Sequence, residues 1–334
     1  MNGQRLVFTG PGALSVESFA VPDPGPNSVR VQTTTSAISP GTERLLYRGD
    51  APDSLESTVA GVDGDLSYPL AYGYATVGRV TAVGERVDDD WLDRRVFAYN
   101  PHESHFLAEP EELVVVPAGV SSARATLLAT METAVTVLLD GEPLLGERVA
   151  VFGQGVIGLT TTALLAQTAI ENLVAVEPLE NRRELAGKFG ADHAIAPSEE
   201  TSDSVRSLLD GGADLTYELS GEPATLDDAI QSTGYDGRVI VGSWYGRRPT
   251  ELDLGGRFHR DRIEVRSSQV STIAPKLRGR WSRERRHDVA WRWLDRLDLE
   301  AIETDTMPLG DAERAYRLLD RRPAECVGVR FTYG

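Results

Sequence analysis

Over the first 120 residues the apolar positions fall in short β-branched runs, RLVFTG, SVRVQTTTSAI, YATVGRVTAV, RRVFAY and ELVVVPAGV, separated by Gly, Pro and Asp. Runs of this kind with turn formers between them predict strands. Across 122–145 the apolar spacing lengthens to that of a helix. From 148 onward the rhythm alternates. The runs RVAVFG, NLVAVE, ADHAIA, ADLTYELS, RVIVGSW and RIEVRSS are joined by stretches such as VIGLTTTALLAQTA, NRRELAGKFG, SVRSLLD and ATLDDAIQST. Six strands with helical crossovers predict an α/β chain with a doubly wound parallel sheet. Residues 273–334 return to mixed helix and strand, and no internal repeat interrupts the pattern.

Composition narrows the class. A chain of 334 residues has room for two domains, and 41% hydrophobic with 25% charged residues is globular usage. The longest apolar region, Val149 to Val176, is broken by Gly, Gln, Thr and Asn, and the N-terminal MNGQRLVFTG has no apolar signal core. These features predict a soluble, cytoplasmic protein. The single cysteine, Cys326, lies in the strand-like AECVGVRF and reads as a buried structural thiol, which leaves no intrachain disulfide and no cysteine-rich zinc site.

Charge removes two classes of partner. With 51 Asp and Glu against 34 Lys and Arg, the formal charge is -17, which argues against nucleic acid and anionic membrane. Lys188 and Lys276 are the only lysines. An acidic, lysine-poor surface suits a salt-accumulating cell, where concentrated salt screens repulsion to within about 3 Å. The charge therefore reports habitat more than substrate.

The clearest motif is RVAVFGQGVIGL, a G-x-G-x-x-G formed by Gly153, Gly155 and Gly158. An apolar strand precedes it, a helix follows it, and the next strand ends in the acidic Glu177, which is the order of a Rossmann dinucleotide site. Gly153 allows the tight turn, Gly155 lets backbone approach the pyrophosphate, and Gly158 lets helix pack on strand. The first helical residues, Val156 and Ile157, offer N–H groups and partial positive charge to phosphate. Glu177 is suited to bond the adenosine ribose hydroxyls and to repel a 2′-phosphate, which favours NAD. Arg182 and Arg183 beside it leave NADP as the alternative. Ser220, Gly242 and Ser243, at strand ends, join the same cofactor site.

A β-rich segment, a Rossmann segment and a return segment, in that order, resemble the medium-chain dehydrogenase/reductase family over essentially the whole chain. PLAYGYATVGRVTAVGERV is similar to the family's GHE…GxVxxVG segment, and LATMETAVTVL, ELAGKFGADHAI, DLTYELSG and GDAERAYRLL follow in the expected order. ISPGTERLLYRG with YPLAYGYATVGRV resembles most the bacteriochlorophyllide a dehydrogenase group, which oxidises a hydroxyethyl side chain with NAD. The resemblance implies a GroES-like catalytic domain over 1–121 with return segment 273–334, and a Rossmann domain over 122–272. It also implies a small-molecule substrate and a homodimer or homotetramer.

The departures concern zinc. In zinc-dependent members a Cys precedes the G-S/T-D/E turn, where this chain has Pro40. The His and Glu of GHE read Tyr74 and Ala75, and the remaining ligand position falls at Glu132. The four-cysteine lobe for structural zinc is absent. One ligand of the three a catalytic zinc takes from protein is not a site, so zinc is not expected. His102 and His105 are the substitutes that sequence proximity offers, one expected in a loop and one at a strand edge.

Hydride transfer belongs to the nicotinamide, and the protein must manage the proton. The resemblance implies Thr42 as a proton-relaying hydroxyl, although a helix-capping role with Glu43 fits the same position. Tyr74 is placed to donate to a carbonyl oxygen, or to fill the space left by zinc. Glu132 reads as a base or as a buried hydrogen-bonding residue. His259, in the connection after Ser243, Trp244 and Tyr245, is a second proton donor or a surface residue. The arginine-rich PKLRGRWSRERRHDVAWRWLDRL reads as an anion-binding wall, or as a helix paired with acidic groups. The expected reaction is hydride exchange between NAD(H) and a secondary alcohol/carbonyl pair. Zinc-free quinone or enoyl reduction and a non-catalytic NAD(H)-binding redox sensor are the alternatives.

Overall fold

A computed structural model describes residues 1–53, 65–302 and 305–334. In chain order the strands are β1 (Asn2–Gly10), β2 (Ala13–Ala20), β3 (Val29–Ala37), β4 (Thr76–Val83), β5 (Arg95–Ala98), β6 (His105–Ala108), β7 (Val114–Val115), β8 (Arg148–Phe152), β9 (Asn172–Val176), β10 (His193–Ile195), β11 (Ala213–Glu218), β12 (Thr233–Val241), β13 (Glu264–Ser267), β14 (Asp305–Pro308) and β15 (Val329–Thr332). The helices are α1 (Pro40–Arg48), α2 (Ser122–Ala125), α3 (Leu128–Gly141), α4 (Val156–Leu165), α5 (Glu180–Lys188), α6 (Thr201–Leu208), α7 (Thr225–Ser232), α8 (Arg257–Arg260), α9 (Arg283–Arg296) and α10 (Ala312–Arg321). The chain divides into two compact units, Met1–Ala129 with Leu294–Gly334, and Thr130–Trp293.

The first unit is built on a sheet of order β14-β15-β3-β4-β5-β7, with β6 also pairing β3 and with β1 and β2 forming a separate hairpin. Val29, Val31 and Phe106 close one core with Val80 and Val96, as the alternation along β3 requires. The strand β3 runs into α1, whose first residue is Pro40. Proline costs nothing there, because an N–H at that position has no helical acceptor and its φ is already helical. Gly49 ends the helix at φ 80°, and its N–H bonds the Leu46 carbonyl at 3.1 Å.

The second unit is the parallel sheet, in the order β10-β9-β8-β11-β12-β13. Ala150, Phe152, Val174, Val176 and Val239 pack with Val205, Leu226 and Ile230 on one face. Val149, Val151, Leu173, Leu215 and Ile240 pack with Val137 and Leu165 on the other. Helices cover both faces, which is why these strands read as unbroken apolar runs. The fold is the α/β, doubly wound sheet with a separate β-rich unit that the sequence predicts. Among the described residues no helix is long and apolar enough to cross a membrane.

Some elements differ from the sequence pattern. The strand β2 was not among the predicted runs, because it buries no residue fully and so carries no inward apolar row. Only Val114 and Val115 of ELVVVPAGV pair as a strand, since Pro117 has no N–H to donate. β12 ends at Val241, so Ser243, Trp244 and Tyr245 lie beyond it.

Candidate functional site

In the second unit the order of strands reverses between β8 and β11, the switch point at whose carboxyl edge ligands bind in such sheets. Phe152 and Glu218 are register partners, so the turns after both strands emerge side by side. Gly153 turns at φ 87°, and a side chain there would stand 2.3 Å from Ser220 Cα. A Cβ on Gly158 would stand 1.9 Å from the Gly153 carbonyl oxygen. Above Gly155 the space is open, with Arg182 Nη1 3.9 Å from where a Cβ would be. Gly155 caps α4 without a side-chain bond, leaving the N–H groups of Val156 and Ile157 at the turn. An open, donor-rich concavity at a helix N-terminus fits a dinucleotide pyrophosphate. Replacing Gly158 by alanine forces the turn off the helix at about 1–3 kcal/mol. NADH titration of Gly158→Ala should show affinity lowered about tenfold or more.

Glu177 ends β9 and is buried. Its Oε2 accepts from the Gln154 N–H at 2.7 Å and its Oε1 from the Leu179 N–H at 3.0 Å. The carboxylate is thus pinned to the glycine turn, and each oxygen keeps a lone pair for a further donor. Arg183 is committed to the Glu177 and Pro178 carbonyls at 2.8 and 2.7 Å. Of the two arginines, Arg182 is the one that reaches the turn.

After β11 and β12 a second cluster forms. Glu218, fully buried, accepts from Ser220 N–H at 2.8 Å and from the Tyr245 hydroxyl, while its carbonyl accepts from Gly242 N–H at 3.0 Å. Ser243 Oγ accepts from Gly221 N–H at 2.8 Å. Burial, with the Glu218 charge next, pushes the Tyr245 hydroxyl far above the ordinary tyrosine value, so it stays a donor. His259 lies in α8, exposed.

In the first unit the turn of interest is the start of α1. The hydroxyl of Tyr74 donates to Ser39 Oγ and lies 3.2 Å from Thr42 Oγ1. Three hydroxyls therefore meet at one helix N-terminus, and Tyr74 stands beside Thr42. Burial holds Tyr74 above the ordinary tyrosine value against the lowering effect of the Ser39 and Thr42 bonds. At neutral pH it is an O–H donor and not a phenolate base.

Glu132 and Arg286, both within the second unit, form a buried ion pair. Arg286 Nη2 and Nε lie 2.6 and 3.0 Å from Glu132 Oε1, His287 Nε2 lies 3.2 Å from the same oxygen, and Arg286 Nη1 bonds Thr136 Oγ1 at 3.1 Å. The arginine-rich segment thus buries one of its arginines, Arg286; Lys276 pairs with Glu142, and Arg285 stacks over Trp281 at 4.4 Å.

These contacts bear on zinc. Pro40 has no donor atom in its side chain, Tyr74 is spent on hydroxyls, and Glu132 on a guanidinium. His102 is buried against Glu43 and Ser36, while His105 opens β6. Among the described residues no group of three or more His, Cys, Asp or Glu is gathered to hold a metal ion. The donor set does not fit a catalytic zinc, which needs about three protein ligands. Sequence reasoning gave no role to Ser39, Ser36, Gln154 or Tyr316 and did not separate Arg286 from its neighbours; most of them lie inside motif segments, but each acquires its partner only through folding.

A family model described as zinc-binding dehydrogenase matches residues 156–283. The chain is 28% identical over 273 residues to the L-threonine 3-dehydrogenase of Pyrococcus horikoshii, covering 71% of this chain and 74% of that protein. It is 22% identical to the D-guloside 3-dehydrogenase of Escherichia coli, covering 99% and 100% of the two. Among solved structures, an alcohol dehydrogenase from E. coli CFT073 complexed with NADH superposes with TM-score 0.82 at 20% identity, covering 99% of both chains. Sheet order, glycine turn, family model and relatives agree in kind: the chain is similar to the zinc-binding dehydrogenases, whose family model matches it over residues 156–283.

Proposed function

We propose that this oxidoreductase exchanges a hydride between NAD(H) and a secondary alcohol/carbonyl pair without a catalytic zinc. The observation that carries the reading is the meeting of Tyr74, Ser39 and Thr42 hydroxyls at the position where zinc-dependent relatives keep metal ligands. The glycine turn of Gly153, Gly155 and Gly158, with Arg182, would hold the pyrophosphate, and Glu177 the adenosine ribose, which favours NAD over NADP. When bound, the nicotinamide supplies or accepts the hydride. When substrate binds, the single Tyr74 O–H, kept by burial, turns from Ser39 to the carbonyl oxygen and gives it first a hydrogen bond and then the proton during reduction. Ser39 and Thr42 orient the phenol and stabilise the oxygen as it gives up the proton. Glu132 is here a structural anion held by Arg286, and His259 is given no step.

The substrate is a small molecule and the working state a homodimer or homotetramer in a salt-rich cytoplasm. The test is a screen in concentrated salt of NAD and NADP against secondary alcohols, including L-threonine and a D-guloside. Enones and quinones are assayed in parallel with NADH, and bound metal is measured. NAD-linked oxidation by metal-free protein supports the reading. Turnover with enones or quinones alone, zinc-dependent turnover, or NADH binding without any turnover would overturn it.

A further inference from the structure

Behind the first turn of α1 lies a buried polar chain that takes no step in the proposed reaction. Ser36, His102 and Glu43 are each 0% exposed. Ser36 Oγ stands 2.6 Å from His102 Nδ1 and 2.7 Å from the Tyr333 hydroxyl. His102 Nε2 stands 3.0 Å from Glu43 Oε2, and the Tyr316 hydroxyl donates to the same oxygen. An ionised carboxylate only accepts, so Nε2 carries the proton; Nδ1 then accepts from Ser36, and Ser36 from Tyr333. In this arrangement every donor finds one acceptor. The Ser–His–Glu order is that of a nucleophile triad, but Tyr333 occupies Ser36 Oγ and none of the three is exposed, so no substrate reaches the serine.

The free oxygen of Glu43 shows what the chain does. Glu43 Oε1 accepts from the Ser39 N–H at 2.7 Å. Ser39 is the N-cap of α1, yet its side chain makes no capping bond. A serine in that place ordinarily turns its hydroxyl onto the helix N–H groups. Here the hydroxyl accepts from Tyr74 instead. The same histidine supports the segment that carries Tyr74: its backbone N–H bonds the Tyr72 carbonyl at 3.2 Å, and a side chain on Gly73 would stand 2.9 Å from its ring.

We propose that His102, together with Ser36 and Tyr316, is a positioning residue: by fixing Glu43 it holds Ser39 through its backbone and so leaves the Ser39 hydroxyl for Tyr74. The catalytic part of this inference rests on Tyr74 being the proton donor proposed above; the structural part does not. The test uses full-length protein carrying 15N-histidine, 15N-serine and 13C-tyrosine. NMR should find the His102 proton on Nε2. In His102→Leu, amide hydrogen exchange at Ser39 should rise about tenfold or more and the Tyr74 Cζ resonance should move. His102→Gln, whose amide offers both a donor and an acceptor, should return both signals to near wild type. Tyr316→Phe, an isosteric change, gives the same shifts in smaller size and decides the question if His102→Leu does not fold. Unchanged Ser39 exchange and Tyr74 resonance in the Leu and Phe variants, or a bare Nε2, would overturn the proposal. Turnover separates the two claims: kcat should fall about tenfold in His102→Leu and recover in His102→Gln, with KM for NADH unchanged. Full activity of Tyr74→Phe would sink the proton-donor reading, while the exchange data would still decide the positioning.

Discussion

Replacing Tyr74 by phenylalanine should lower kcat for carbonyl reduction by about 10²-fold or more and leave KM for NADH near its wild-type value. The ring stays, so packing against Tyr72, whose ring meets it edge-on at 5.9 Å, is kept. What goes is the proton donor. Folding should suffer little, because the bond to Ser39 is one neutral hydrogen bond worth about 1 kcal/mol. Ser39 is moreover freed to cap α1, which offsets part of that loss. Steady-state kinetics beside a denaturation curve checks both halves. A kcat within about twofold of wild type would show that another group moves the proton.

The second large effect is on stability. Arg286→Met should destabilise the protein by about 3–5 kcal/mol, since it takes the guanidinium away from the buried Glu132 carboxylate, beside which His287 stays. Removing both charges, in Glu132→Leu with Arg286→Met, should recover most of the loss, because the penalty comes from the unpaired ion. Denaturant unfolding of the single and double variants, followed by a probe in the second unit, measures this. If the single variant lies within about 0.5 kcal/mol of wild type, the pair is not the buried anchor its geometry describes. The same cycle tests the site assignment. Were Glu132 a catalytic base, the double variant would regain stability but lose turnover, whereas a structural anion allows it to regain both.

Much of the second unit was legible because its strands are buried on both faces. Apolar runs such as NLVAVE and RVAVFG leave no other place for themselves, and Gly153 and Gly158 of the turn meet backbone that allows no side chain. The residues at the positions where the resemblance expects metal ligands and a neighbouring Glu, Pro40, Tyr74 and Ala75, can be read directly along the chain. The hairpin strand β2 was not legible, because a half-exposed pair need not keep a strict apolar row. Nor was the fate of the arginine-rich segment: one arginine of that run is buried, and helical spacing alone does not say which.

The sequence by itself determined the order of the two folds, the parallel sheet, the dinucleotide turn and the residues standing where metal ligands are expected. These follow from local rules, periodicity and spacing, that act within a few residues. Tertiary structure alone decided the partners of the polar groups. Glu43 meets His102 across 59 residues, and Glu132 meets Arg286 across 154. A buried carboxylate must find a donor wherever the folded chain brings one, and hydrogen-bond demand carries no sequence period. For that reason Glu132, read along the chain as a base or as a buried hydrogen-bonding residue, became half of an internal ion pair. For the same reason Ser39, which the sequence passed over, became the hydroxyl on which Tyr74 rests.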